Sequence, residues 1–275
     1  MKTFGDLFKT LETSAPSSFE GGEIFRFVTG ISAHSADMCA PLAPEMRGQA
    51  ERLLKARADG YPLQYLLGEW EFYGLPFKVG PGVLIPRQDT ETLADSALDL
   101  LKASKTAQPE VLDLCSGSGC LAIVIAHHFP AAKVSAVERS ALAFPYLTEN
   151  IALNGVSVAA VECDLRDYIH PAPLDLIVCN PPYIPRSDFQ NLQIEVTHEP
   201  IDALDGGQDG LDYFRVIARR YKDQLAPGGH LLFEVGDEQA QAVSAILTSF
   251  NYEEITLRPD LTGKVRVVGG RPACK

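Results

Sequence analysis

Apolar positions change their period part-way along the chain. Up to about residue 75 they recur at helical spacing. Residues 3–11 form a short amphipathic stretch, and residues 22–31 carry Ile24, Phe25, Phe27, Val28 and Ile31 on one face. Residues 45–58 begin after Pro44 and stop before Gly60, the positions that favour a first helical turn and a helix end. A small helical bundle is therefore expected over residues 1–75. An aromatic-rich run over 70–79 predicts two short strands about a turn at Gly74-Leu75, a linker that continues to about residue 86. A helix over 89–102 follows, with Asp89-Thr90-Glu91 supplying a capping residue and an acidic first turn.

From Glu110 onward, short β-branched runs alternate with longer helical patterns. Strands are expected over 111–114, 133–138, 157–161, 174–179, 230–235, 252–257 and 264–268. Helices are expected from the glycine-rich turn to 129, over 141–153, over 211–225 (ended by Pro227-Gly228-Gly229) and over 238–250. Repeated strand–helix units imply an α/β domain, here residues 87–275, with a parallel sheet covered on both faces. Only six residues separate the last two strands. That is too short for a crossover, so these two must form an antiparallel hairpin.

Composition narrows the classes. The 275 residues carry a formal charge of −12, which argues against non-specific nucleic-acid binding. Cys39, Cys115, Cys120, Cys163, Cys179 and Cys274 include no C-x-x-C pair. They read as buried thiols in a reducing compartment, with no metal site. There is no basic-then-apolar leader pattern and no apolar run of membrane-spanning length. A cytoplasmic location without membrane or direct nucleic-acid contact is expected.

Two stretches carry the chemistry. The strand Leu174-Asp175-Leu176-Ile177-Val178-Cys179 runs into Asn180-Pro181-Pro182-Tyr183, where two prolines stop it. Asn180 offers an acceptor oxygen and a donor NH2, and the Pro181 carbonyl a fixed acceptor. Together they can take both hydrogens of a planar –NH2 group, with Tyr183 packed beside it. The second stretch, Gly117-Ser118-Gly119-Cys120-Leu121-Ala122, fits G-x-G-x-x-A between a strand and a helix. Glu138 lies 19 residues beyond Gly119, where a carboxylate can bind ribose hydroxyls. Alone this accommodates a dinucleotide or S-adenosylmethionine. Asp113, placed to attract a cationic methionyl group, and the amino-group clamp favour the latter, because hydride transfer gives the clamp no role.

The chain resembles the bacterial protein-(glutamine-N5) methyltransferases that modify peptide chain release factors. The likeness rests on Pro62-Leu63-Gln64-Tyr65 with Gly68, Glu71-Phe72-Tyr73-Gly74, Ile85-Pro86-Arg87 with Thr90-Glu91, and Asp113-Leu114 with Gly117-Ser118-Gly119. It continues through Asn180-Pro181-Pro182-Tyr183-Ile184, Glu199-Pro200 with Ala203-Leu204, Gly206-Gly207 with Asp209-Gly210-Leu211, Pro227-Gly228-Gly229 and Glu234-Val235-Gly236. Cys115-Ser116 stands where the family usually has Gly-Thr, Glu138 where Asp is commoner, Leu165 where an aromatic is frequent, and Gln88-Asp89 where Pro-Glu is usual. Gly206-Gly207-Gln208 falls in a family loop of variable glutamine position and is not a substrate motif.

The resemblance implies a seven-stranded, Rossmann-like class I methyltransferase domain behind a helical domain that contacts the release factor. It implies S-adenosylmethionine as donor, S-adenosylhomocysteine as product, and the glutamine of the Gly-Gly-Gln motif in class I release factors as substrate. Donor-binding positions fall on Asp113, Cys115, Ser116, Gly117, Ser118, Gly119, Glu138, Asp164, Leu165 and Asn180. The glutamine clamp falls on Asn180, Pro181, Pro182 and Tyr183, with Asn180, Pro181 and Tyr183 as the catalytic set. Leu84 is a candidate wall of the transfer zone. No general base is assigned, and His198 reads as structural or surface. A ribosomal-protein glutamine and a nucleic-acid base amino group are the alternative substrates.

Overall fold

The computed structural model describes residues 1–273; Cys274 lies outside the described residues. By compactness the chain divides into a smaller unit, residues 1–69 with 193–198, and a larger one, residues 70–192 with 199–275.

The smaller unit is helical. Helix α1 (Phe4–Ser14) starts at Thr3, whose hydroxyl accepts from the Asp6 amide while the Asp6 carboxylate accepts from the Thr3 amide. Helix α2 (Ser18–Thr29) is capped by Ser17 and ended by Gly30 in the left-handed region. It starts four residues earlier than its apolar face suggests, because the Ser17 cap precedes that face. Helix α3 (Pro44–Ala58) has Pro44 in its first turn. Helix α4 (Leu63–Leu67), one short turn ended at Gly68, was not expected. Leu7, Leu11, Ile24 and Phe25 are fully buried, and the Phe25 ring meets Phe4 and Phe8 edge-on at 5.9 and 5.5 Å. Arg57 joins Glu20 at 2.6 Å to Glu195 at 2.9 Å, and His198 packs edge-on against Tyr61.

The larger unit opens with the hairpin of β1 (Glu69–Phe72) and β2 (Leu75–Lys78). Its turn is Tyr73-Gly74, one residue earlier than expected. Both residues have positive φ, the backbone that matches the twist of two antiparallel strands. A 3-10 turn (Gln88–Thr90) leads into α5 (Glu91–Ala103). Then come β3 (Glu110–Leu114), α6 (Cys120–His128), β4 (Lys133–Glu138), α7 (Phe144–Asn154), β5 (Val158–Glu162) and β6 (Leu174–Cys179). The chain closes with α8 (Asp212–Tyr221), β7 (Leu225–Glu234), α9 (Ala240–Ser249), β8 (Tyr252–Pro259) and β9 (Val265–Pro272).

Strands β3 to β9 form one seven-stranded sheet in the order β5-β4-β3-β6-β7-β9-β8. Neighbours are parallel except β9, which is antiparallel to both β7 and β8, so the last two strands are the expected hairpin. One face buries Leu93 and Ala97 of α5, Ile123 of α6 and Leu147 of α7. The other buries Phe214, Ile217 and Tyr221 of α8 with Val243 and Leu247 of α9. Along β6 the side chains alternate between the two layers, Leu176 and Val178 into the first, Ile177 and Cys179 into the second. Helical cover changes face between β3 and β6. That change opens a crevice beyond their carboxyl ends, where open α/β sheets take ligands.

Two expectations need correction. Helix α8 stops at Tyr221 rather than continuing to 225, and residues 226–229 are a bulge inside β7. Leu174 pairs with Leu225 but Leu176 with His230, so Pro227-Gly228-Gly229 is looped out of the register rather than ending a helix. The cysteines are not uniformly buried: Cys179 is, Cys39 is exposed, and Cys115, Cys120 and Cys163 are half-buried.

Candidate active site

The crevice holds a cavity that opens to solvent. Its floor is the end of β3. Asp113 is 1% exposed; its Oδ2 accepts from the Ala122 amide at 3.3 Å, while Oδ1 is buried with no partner among the described residues. Burial pushes this carboxyl up to about 7, against the hydrogen bond from Ala122 and with the repulsion of Glu138. A buried oxygen without a donor is costly unless a ligand supplies one.

The turn after β3 is tight. Cys115 takes a left-handed φ of 57°, a conformation that a side chain disfavours by about 1 kcal/mol. The Ser116 amide donates to the Val137 carbonyl of β4, and the Gly119 amide to the Ser116 carbonyl. Gly119 has φ 81°, and a Cβ there would stand 2.4 Å from Leu147 Cδ1, so only glycine lets α7 close on the turn. Helix α6 starts at Cys120 without a side-chain cap. Burial raises the Cys120 thiol to about 12, which keeps it neutral and unreactive.

At the end of β4 sits Glu138. Its Oε2 accepts from the Gly117 amide at 2.8 Å and its Oε1 from the Ser140 amide at 2.7 Å. The carboxylate is therefore held by backbone donors and keeps lone pairs for hydroxyls. Leu165 also lines the cavity, with its carbonyl taken by the Tyr221 hydroxyl. Asp164 is not part of the lining; it faces Arg139 and Arg166 and accepts from the Arg166 amide.

Asn180 and Pro182 line the cavity at the end of β6, Pro181 is buried behind them, and Tyr183 turns into the layer of α8 and α9. The Asn180 NH2 donates to the Thr90 hydroxyl at 3.3 Å, so its oxygen remains as the acceptor. The Tyr183 hydroxyl donates to Glu234 Oε1 at 3.4 Å. A Cβ on Gly206 would lie 2.7 Å from the Tyr183 backbone, and the Gly206 amide donates to Ile184, which explains the glycine in that loop. Glu199, 4% exposed, accepts from the Ile85 amide at 3.0 Å and pairs with Arg87, holding the wall formed by Leu84, Ile85, Pro86 and Arg87.

Asp113, Cys115, Ser116, Gly117, Ser118, Glu138, Leu165, Asn180 and Pro182 thus come together around one cavity, as does Leu84. Thr90, which lines the cavity, was missed as a site residue. The run Asp89-Thr90-Glu91 was expected to supply a cap for α5; Thr90 holds the cap position, but its side chain makes no capping bond there and accepts from Asn180 instead, because β6 brings a donor to it across 90 residues of sequence.

A sheet of this order with an acidic strand end, a glycine turn and a second carboxylate one strand over defines a class I methyltransferase with S-adenosylmethionine as donor. The residues fit that donor. The orphaned Asp113 oxygen suits its cationic amino group, and Glu138 a sugar diol. The Methyltransferase small domain family matches residues 91–258. A methyltransferase from Pyrococcus furiosus shares the fold at TM-score 0.52 and 17% identity, over 82% of this chain and 99% of that one. The hMettl16 catalytic domain shares it at TM-score 0.60 and 14% identity, over 85% and 84%. The release factor glutamine methyltransferase of Geobacter sulfurreducens is 43% identical over 84% of this chain and 80% of its own. That of Bordetella pertussis is 39% identical over 87% of each. The chain belongs to the release factor glutamine methyltransferase family.

Proposed function

We propose that the protein methylates the side-chain amide nitrogen of the glutamine in the Gly-Gly-Gln motif of class I peptide chain release factors. The observation that carries this reading is the Asn180–Thr90 bond, which leaves the Asn180 oxygen as an acceptor on the cavity wall. A carboxamide substrate has two N–H donors; Asn180 Oδ1 and the Pro181 carbonyl accept one each. An amide nitrogen is a weak nucleophile because its lone pair is shared with the carbonyl. Two acceptors fixed in a water-poor cleft orient it and favour electron density on nitrogen. Tyr183, packed into the layer of α8 and α9, anchors the loop that carries the clamp.

S-adenosylmethionine supplies an electrophilic sulfonium-bound methyl group when bound. Asp113 holds its amino group, the turn of Cys115, Ser116, Gly117, Ser118 and Gly119 its methionyl part, Glu138 the ribose, and Leu165 the adenine end. Leu84 and the wall held by Glu199 exclude water. The larger unit carries catalysis, and the helical unit is assigned to release-factor recognition, which places the protein in the cytoplasm with its substrate. Among the described residues no helix is long and apolar enough to cross a membrane.

The test is incubation with S-adenosylmethionine and a purified class I release factor, read by peptide mass spectrometry. A methyl on the motif glutamine, absent when that glutamine is replaced, is the expected result. Donor binding with no transfer to that residue would overturn the substrate assignment.

A further inference from the structure

The clamp loop has few means of holding itself. Pro181 and Pro182 bring no amide hydrogens, so much of the bonding that fixes the loop must come from the residues that follow them. The Ile184 amide donates to the Leu204 carbonyl at 2.9 Å, and the Ile184 carbonyl accepts from the Gly206 amide at 3.0 Å. Between these bonds and the prolines lies Tyr183. Its ring packs in the layer of α8 and α9, and its carbonyl accepts from the side chain of Gln239, the residue before α9.

Gln239 uses both ends of its carboxamide. Its NH2 donates to the Tyr183 carbonyl at 2.9 Å and to the Gly210 carbonyl at 3.3 Å. Its Oε1 accepts from the Gly236 amide at 3.0 Å. Two carbonyls at one end and an amide at the other leave the group one orientation, because a flipped carboxamide would set oxygen against oxygen. Glycines make room for it. A Cβ on Gly210 would stand 2.4 Å from the Tyr183 carbonyl oxygen and 2.7 Å from Gln239 Nε2. One on Gly236 would stand 3.0 Å from Gln239 Oε1. Three loops therefore meet on one side chain: the clamp loop, the loop through Gly210 and the turn after β7. Gln239 itself does not line the cavity.

We infer that Gln239 is a positioning residue for methyl transfer, gripping the Tyr183 carbonyl and so fixing the loop that aims the Asn180 and Pro181 acceptors. The inference rests on the proposed amide clamp and deepens it. Pro181 lies two residues before Tyr183, no more than about 7.6 Å away along the chain. Prolines have a fixed φ, so a shift of Tyr183 is passed on to the Pro181 carbonyl rather than absorbed. Displacing a reacting group by about 1 Å costs about 100-fold in rate. The donor is assigned to Asp113 and Glu138, on β3 and β4, and its binding does not run through this brace.

The experiment compares Gln239→Met and Gln239→Glu with the wild type at pH 8. Methionine fills nearly the same volume and makes none of the three bonds. The carboxylate of Gln239→Glu keeps the bond from Gly236 and loses the two that Gln239 donates. A residue that merely filled space would tolerate both changes. We expect each variant to lose about 10- to 100-fold in kcat, with KM for the release factor and calorimetric affinity for S-adenosylhomocysteine within about 3-fold of wild type. Near-full kcat in either variant would overturn the inference, as would a loss confined to KM. Hydrogen exchange by NMR reads the brace without any substrate. The Ile184 and Gly206 amides, which tie the end of the clamp loop, should exchange about 10-fold faster in both variants, while the Ile177 amide inside β6 stays within about 3-fold. That result supports the brace even if the wild type transfers nothing to a release factor, an outcome that sinks only the substrate reading. Unchanged exchange at Ile184 and Gly206 overturns it, and so does an equal rise at Ile177, the mark of general destabilisation. Should one variant fail to fold, the other decides by the same measurements.

Discussion

Replacing Asp113 by Asn should stabilise the ligand-free protein at alkaline pH while weakening its hold on the donor. Burial raises this carboxyl from 3.8 to about 7. A folded-state value above the unfolded one means that the native state binds the extra proton. The associated stability is complete below pH 3.8 and is lost as pH rises through 7. Keeping the group ionised in the fold costs about 4 kcal/mol above pH 7. Asparagine escapes that cost. Its oxygen can take over the bond from the Ala122 amide, but its NH2 then occupies the place of Oδ1, where no acceptor stands. An unpaired buried amide costs about 1 to 3 kcal/mol. The variant should therefore be about 1 to 3 kcal/mol more stable at pH 8. Between pH 5.5 and 8 the gap between variant and wild type should widen by about 2 kcal/mol, whatever the amide costs, because only the carboxyl titrates there. Glu234, also raised to about 7, is common to both proteins and drops out of the difference. Urea unfolding at the two pH values measures this, and S-adenosylhomocysteine titration measures the weakened binding. A gap of equal size at both pH values would refute the reasoning.

Gly119→Ala should cost about 2 to 4 kcal/mol, combining a left-handed backbone with a Cβ placed against Leu147, and should abolish donor binding; a wild-type urea midpoint contradicts this. Glu199→Ala removes the acceptor of the Ile85 amide and the partner of Arg87, so a loss of about 2 kcal/mol and weaker S-adenosylhomocysteine binding are expected, the latter because the cavity wall loosens. Unchanged calorimetric affinity in that variant would show that the wall does not depend on the pair.

The doubly wound sheet is legible in the sequence because each of its strands is a short, branched apolar run bounded by polar or glycine-rich turns. The turn from Cys115 to Gly119 and the loop from Asn180 to Tyr183 are legible for a related reason: both interrupt such runs with residues that no helix or strand would choose. What stays hidden depends on contacts distant in sequence. Thr90 reads as a cap because capping is a local relation, whereas its acceptor role is created by β6. Glu234 reads as the end of a strand until β7 sets it beside Tyr183. Pro227-Gly228-Gly229 reads as a helix stop, since a bulge differs from a stop only in what the neighbouring strand pairs with. Residues 193–198 belong with the helical unit, a grouping no local pattern announces.

The clamp is the centre of the account, and Asn180→Ala tests it most directly. Methyl transfer to a release factor and affinity for S-adenosylhomocysteine would be measured side by side. The account predicts that turnover is abolished while affinity for S-adenosylhomocysteine falls much less, because Asp113 and Glu138 remain in place. Near-normal turnover in that variant would contradict it.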